Sequence, residues 1–263
     1  MRGFGFASAI SLAAIGGGIE AAPARVASLN LCTDELLLTL GDPRRIVSVT
    51  HLAQSPAETP LWRMARLYPR NDGSLVSVAG LRPNLVLTMG GGARDRVRIA
   101  ERLGIRVLQL PYPQSLSDIE RSLAQVAAAL GRPEAARVPL GRIAALERTI
   151  PPRQADTIWL GGGGRSVSAS GLPAQWMALA GLRQRALTGD RVSLEQLLVR
   201  PPAVLLRSDY RSGQYSSEQR WLAHPLARKV RVARSIRTDG RLWTCMGPLM
   251  VGEITRLRAE AAK

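Results

Sequence analysis

Strand-like apolar runs alternate with helix-like segments along this chain, and the alternation runs through twice. The first pass has strands predicted in RVASLN (Arg25–Asn30), RRIVSVT (Arg44–Thr50), the LVLTM of LRPNLVLTMGGG (Leu81–Gly92) and IRVLQL (Ile105–Leu110). Helices are expected between them. One follows Asn30, with Thr33 or Asp34 as its cap and Leu36, Leu37 and Leu40 as its apolar face. A short helical turn comes after a polar loop from His51 to about Ser74, and a further helix over Arg94–Leu103. In Ser115–Gly131, Ser117 stands as the cap, Glu120 at the capping-box position and Gly131 as the stop. Pro133 opens a helix to about Ile150, and Pro151-Pro152 ends it. The pattern then restarts, with strands in DTIWL (Asp156–Leu160), AVLLRS (Ala203–Ser208) and VRVAR (Val230–Arg234). Helices are predicted over Pro173–Ala180, over Leu194–Val199, from Glu218–Leu222 and after Arg241–Cys245. Strands alternating with helices in two halves imply two small α/β lobes, bridged by the Pro133–Ile150 segment.

The 263 residues, 46% hydrophobic and 21% charged, suffice for such lobes and rule out a disordered chain. The net charge of +16 favours anionic partners, yet only Lys229 and Lys263 are lysines and the other 34 basic residues are arginines. No arginine-rich tract has interleaved aromatics, so nucleic acid is not an expected partner. The opening MRGFGFASAISLAAIGGGIEAAPA has a basic start, a small-residue apolar stretch and Ala22-Pro23-Ala24, the parts of a secretory signal cleaved near Ala24. Its five glycines argue against a core helix.

Cys32 falls in SLNLCTDELLLTL, at a strand-to-helix seam, where ligands bind in α/β proteins. A nucleophile, a metal ligand, a lipid anchor, half a disulfide and a small buried residue are all open readings. The anchor is disfavoured because Asn30-Leu31, not small residues, precedes the cysteine. Two cysteines and two histidines without close spacing do not make a zinc site. With no G-x-S-x-G elbow and only His51 and His224 as histidines, no catalytic constellation emerges, and a non-enzymatic protein is expected. Gly90–Gly92 and Gly161–Gly164 each follow an apolar strand without nucleotide-binding spacing. Their matched placement favours a shared cleft.

The segments Arg25–Pro56, Leu81–Gly90, Leu103–Ile119 and RLWTCMGP (Arg241–Pro248) resemble, in order, the periplasmic substrate-binding proteins of ABC importers for cobalamin and ferric siderophores. The resemblance implies two Rossmann-like α/β lobes joined by a single long helix, of the class III type. It divides the chain into a signal (1–24), an N-terminal lobe (25–132), a connecting helix (133–152) and a C-terminal lobe (153–263). Pro139 is expected to kink that helix. The implied ligand is a small metal complex, an iron-siderophore type by preference and a corrinoid as the alternative, with no resident cofactor or metal. The implied partner is the permease, and the implied state is monomeric. A third reading is an α/β enzyme holding a phosphorylated substrate on its glycine loops.

Strand-end position nominates Asn30, Cys32, Thr33, His51, Gly91, Arg94, Gly162, Arg165, Asp209, Tyr210, Tyr215 and Trp243 for the cleft. The family docks on its permease through an acidic residue on each lobe. SLEQLLVRPPAVLL keeps it as Glu195, whereas SLVSVAGLRPNLVL has Val76, with Asp72 nearby but off the motif. Cys32 and Cys245 are 213 residues apart. A disulfide, two thiols on the ligand and two small buried residues remain open, with the bridge not preferred and joint metal ligation least favoured.

Overall fold

The computed structural model describes residues 25–90, 94–208, 210, 225 and 233–262, and gives only backbone at 94–96. The proposed signal, Gly91, Asp209, Tyr215 and the helix expected from Glu218 lie outside them. Five strands form one sheet: Val26–Ser28 (β1), Ile46–Thr50 (β2), Arg70–Asn71 (β3), Leu85–Met89 (β4) and Arg106–Leu110 (β5), in the order β3-β2-β1-β4-β5. Four form the other: Ala155–Leu160 (β6), Leu182–Gln184 (β7), Val204–Ser208 (β8) and Arg234–Thr238 (β9), in the order β7-β6-β8-β9. Every pairing in both sheets is parallel. Parallel strands are covered on both faces, which is why LVLTM of β4 is a continuous apolar run with all five residues buried. In each sheet the winding reverses beside the first strand, between β1 and β4 and between β6 and β8, and a ligand crevice is expected at those carboxyl ends.

The helices among the described residues are Leu31–Leu40 (α1), Trp62–Ala65 (α2), Leu75–Ala79 (α3), Arg94–Arg102 (α4), Leu116–Ala129 (α5), Arg137–Arg148 (α6), Gly171–Leu179 (α7), Leu194–Val199 (α8), Leu242–Cys245 (α9) and Met250–Ala261 (α10). One apolar core runs through both halves: Leu37 and Leu40 of α1, Leu123 of α5, Ile143 of α6, Trp176 of α7 and Ile254 of α10 all belong to it. Smaller clusters cover the far faces, around Val78 and Val86 in the first half and around Ile158 and Leu197 in the second. Burying a leucine of this kind contributes about 2 kcal/mol, so the shared layer couples the two lobes strongly. Arg258 of α10 reinforces it, donating to the Leu179 carbonyl (2.7 Å through Nε) and to Thr149 Oγ1 (2.7 Å).

Several local expectations need correction. Asn30, extended at φ −149°, caps α1 by accepting from the Cys32 amide at 2.9 Å; Thr33 and Asp34 do not. Cys32 therefore lies inside the first turn of the helix. Ser115 rather than Ser117 caps α5, accepting from the Asp118 amide at 3.2 Å, because the apolar stripe already begins at Leu116. Of the strand expected over Val230–Arg234, residues 230–232 lie outside the described residues, and Arg234 opens the observed strand Arg234–Thr238. The helix between the lobes is shorter than expected. Pro133–Ala136 is a 3₁₀ turn and α6 spans 12 residues, about 18 Å at 1.5 Å per residue. Pro139 is the third residue of α6, where a missing amide breaks no bond inside the helix. An unbroken α-helix from Pro133 would need an amide at 139 to reach the Ala135 carbonyl. The proline thus divides 3₁₀ from α geometry instead of kinking the helix.

Candidate functional site

The loops that leave the carboxyl ends of both sheets touch one another. After β2, the Pro56 carbonyl accepts from Arg241 Nη1 (2.9 Å), and Glu58 Oε2 accepts from the Tyr210 hydroxyl (2.6 Å). Arg241 is aimed by Asp239, which takes its Nε and Nη2 at 2.8 and 2.6 Å. After β1, Cys32 is disulfide-bonded to Cys245 of α9, with Cα atoms 5.2 Å apart. The bridge corrects the preference against it, and it removes both thiols as ligand contacts. Beside it, Glu35 accepts from the Leu249 amide at 3.2 Å, and its carboxylate so fills the space over Gly247 that a Cβ there would lie 2.5 Å from Oε1.

Two acids are buried at this seam. Asp34 accepts from the Thr50 amide (3.1 Å) and hydroxyl (2.5 Å), yet burial outweighs these hydrogen bonds and pushes its carboxyl up to about 7. Glu35, also buried, is raised to about 7 by desolvation, opposed only by the Leu249 amide.

Two tryptophans of the second half pack together close by in the chain's shared core. Trp159 of β6 and Trp243 of α9 have ring centroids 5.9 Å apart, tilted by 58°. Trp243 Nε1 donates to Thr238 Oγ1 at 2.8 Å, whereas Trp159 Nε1 is buried with no acceptor among the described residues. Gly161 is required under the Trp159 ring, because a Cβ would lie 2.7 Å from it. In the other lobe Gly90, at φ +88°, lies against the ring of Tyr112, a residue 59% exposed in the loop after β5.

The structure thus brings together some nominated residues and withdraws others. Asn30 is committed to capping, Thr33 is fully buried and bonded to Ser28 Oγ at 2.8 Å, and Trp243 is buried in the core. Tyr210 stands at the interlobe contact. Gly162 opens a 3₁₀ turn that closes on itself, the Gly161 amide donating to the Arg165 carbonyl at 2.8 Å, and Arg165 is exposed beside it, bridged to Arg191. Arg94 begins α4. His51 is exposed and lines a cavity of about 560 Å³ with Gln54, Ser55, Pro56, Arg66 and Arg70. Trp159 and Tyr112 are not among the nominated residues. Tyr112 had a legible signal, an aromatic between two prolines directly after a strand; Trp159 was hidden within the strand itself.

Residues 26–144 match the family model described as periplasmic binding protein. A periplasmic heme binding protein from Pseudomonas aeruginosa superimposes with a TM-score of 0.64 at 21% identity, over 90% of this chain and 92% of that one. The chain has the periplasmic binding protein fold. Two further proteins share that fold: the heme binding protein HutB of Vibrio cholerae (TM-score 0.69, 16% identity, 91% and 99% covered) and the vitamin B12 binding protein BtuF of Vibrio cholerae (0.64, 17%, 90% and 96%). Among curated proteins none matches the chain by sequence. The family and these neighbours are binding proteins, which agrees with a site made of aromatic and hydrogen-bonding groups.

Proposed function

We propose that the chain is the periplasmic solute-binding component of an ABC importer. In this reading residues 25–132 and 153–263 are its lobes, and a metal complex, an iron-siderophore or a related compound, is held between them. The observation that carries this is the meeting of the carboxyl-end loops of two parallel sheets, where Arg241 donates to the Pro56 carbonyl and Tyr210 to Glu58. The neighbours named for heme and vitamin B12 support a metal-bearing ligand, and the excess of arginine favours an anionic iron complex. The glycine turn, whose Gly161 amide is already engaged within the turn, gives a phosphate no equivalent support.

Tryptophan quenching with a ferric siderophore, hemin and cyanocobalamin tests the reading, with one of the three expected to bind saturably at one site. Failure of all three compounds to quench rejects the metal-complex assignment.

Docking on the permease is proposed through α3 and α8. Both begin at a serine cap, Ser74 and Ser193, and carry Val76 and Glu195 at the same helical position. Val76 is 85% exposed and Glu195 is exposed at the rim of a separate cavity of about 520 Å³. Glu195→Arg is expected to lower uptake in cells while ligand affinity in solution stays unchanged, since a rim charge acts on association. Loss of ligand affinity in that variant would contradict the docking role.

A further inference from the structure

We infer that the cavity beside β2 and β3 is an oxyanion subsite that takes the carboxylate arms of a polycarboxylate-bearing ligand. The inference deepens the proposed binding function and rests on it. The cavity's six lining residues are His51, Gln54, Ser55, Pro56, Arg66 and Arg70, two of them cationic and none acidic. Among the described residues no carboxylate lies within ion-pair distance of Arg66 or Arg70, although ion pairs occupy Arg44, Arg121, Arg185, Arg241 and Arg256 elsewhere.

Arg66 is preorganised. Its guanidinium lies 4.6 Å from the Trp62 ring centroid, and its Nε donates to the Gln54 carbonyl at 3.3 Å, leaving both terminal nitrogens for a ligand. Gln54 in turn holds its loop to α2 and the segment after it by donating to the carbonyls of Ala65 (3.3 Å) and Tyr68 (2.8 Å). Arg70 is exposed on the outermost strand of the sheet. His51 sets its Nδ1 against the Asn71 carbonyl at 3.2 Å; a carbonyl only accepts, so Nδ1 donates, the Nε2 of the neutral ring is an acceptor, and an ionised carboxylate is left to the two arginines.

The size of the cavity, about 560 Å³, lies in the range of sites for multi-group ligands and is excessive for one phosphate. Pro56 belongs both to this cavity and to the interlobe contact with Arg241, so a ligand between the lobes can extend an acidic arm into it. Two guanidiniums lining one cavity suit two planar carboxylates, each in bidentate geometry.

Calorimetric titration of the purified protein with citrate and with inorganic phosphate, at fixed ionic strength, tests this. Citrate should bind saturably at one site, with phosphate at least tenfold weaker. Arg66→Gln and Arg70→Gln should each weaken citrate at least fivefold at unchanged melting temperature, and Arg121→Gln on α5, outside the cavity lining, should leave it unaltered. Absence of saturable citrate binding, indifference to both cavity substitutions, or phosphate binding as tightly as citrate would overturn the assignment. The two readings fail separately. Tryptophan quenching by a metal complex with no citrate site leaves the importer function standing, whereas citrate binding lost in the variants while no metal complex quenches leaves the subsite standing alone.

Discussion

Reduction of the Cys32–Cys245 bridge is expected to lower the melting temperature by about 10–15 °C. The bond closes 213 residues, nearly the whole described chain, and the chain-entropy model assigns a loop of that length about 4–5 kcal/mol. For a protein of this size each kcal/mol corresponds to about 2–4 °C. Cys32→Ser and Cys245→Ser should reproduce the loss, and the double variant should be no worse than either single one. Thiol titration of the denatured, unreduced protein should find no free thiol. Two free thiols, or an unchanged melting temperature under reductant, would remove the bridge from the account of stability.

A second large effect is expected from pH. Asp34 and Glu35 are both raised to about 7 by burial, against about 4 in the unfolded chain. Between those values the native state binds more protons than the unfolded state, so stability falls as pH rises. Their contribution is fully present below about pH 4 and is lost as pH passes 7. The melting temperature should therefore be about 5–10 °C higher at pH 5 than at pH 8. The carboxyls of Asp42, Asp72, Asp118 and Asp156, none of them fully buried, are shifted down, chiefly by hydrogen bonds, and act only at lower pH. Asp34→Asn and Glu35→Gln should each shrink the difference between pH 5 and pH 8, and the double variant should nearly abolish it. Scanning calorimetry at constant ionic strength reads this directly. A pH difference that survives intact in the double variant would place its origin elsewhere.

How legible the molecule was depends on what each signal needs. The long strands announced themselves because both faces of a parallel strand are buried, so LVLTM and DTIWL stand out as apolar runs. Arg70–Asn71 and Leu182–Gln184 are too short to show any period, and both were missed. Helix starts were less certain by one to three residues, because Asn30, Thr33 and Asp34 are all good caps, and only the backbone conformation at Asn30 decides between them. The site was less legible still. Strand-end position marks His51, which lines a cavity with Pro56, and Tyr210, which meets Glu58, but it also marks Thr33 and Trp243, whose side chains are buried. Local sequence carries no information about which of two faces of a strand meets the other lobe. Nor does it say which distant residue a cysteine meets, so the partnership of Cys32 with a residue 213 positions later is not legible in the sequence.

That partnership also sets an order of events in making the protein. Cys32 is among the first residues of the described chain and Cys245 among the last, and the segment carrying Cys245 also supplies the amide that meets Glu35. The first lobe can be complete long before this closure is possible. A chain cut short of residue 245 therefore carries an unpaired thiol at Cys32 and, one turn on, a Glu35 without its cover and its amide donor. The molecule marks its own unfinished copies chemically, and the mark disappears only when the chain's end has come back to its beginning.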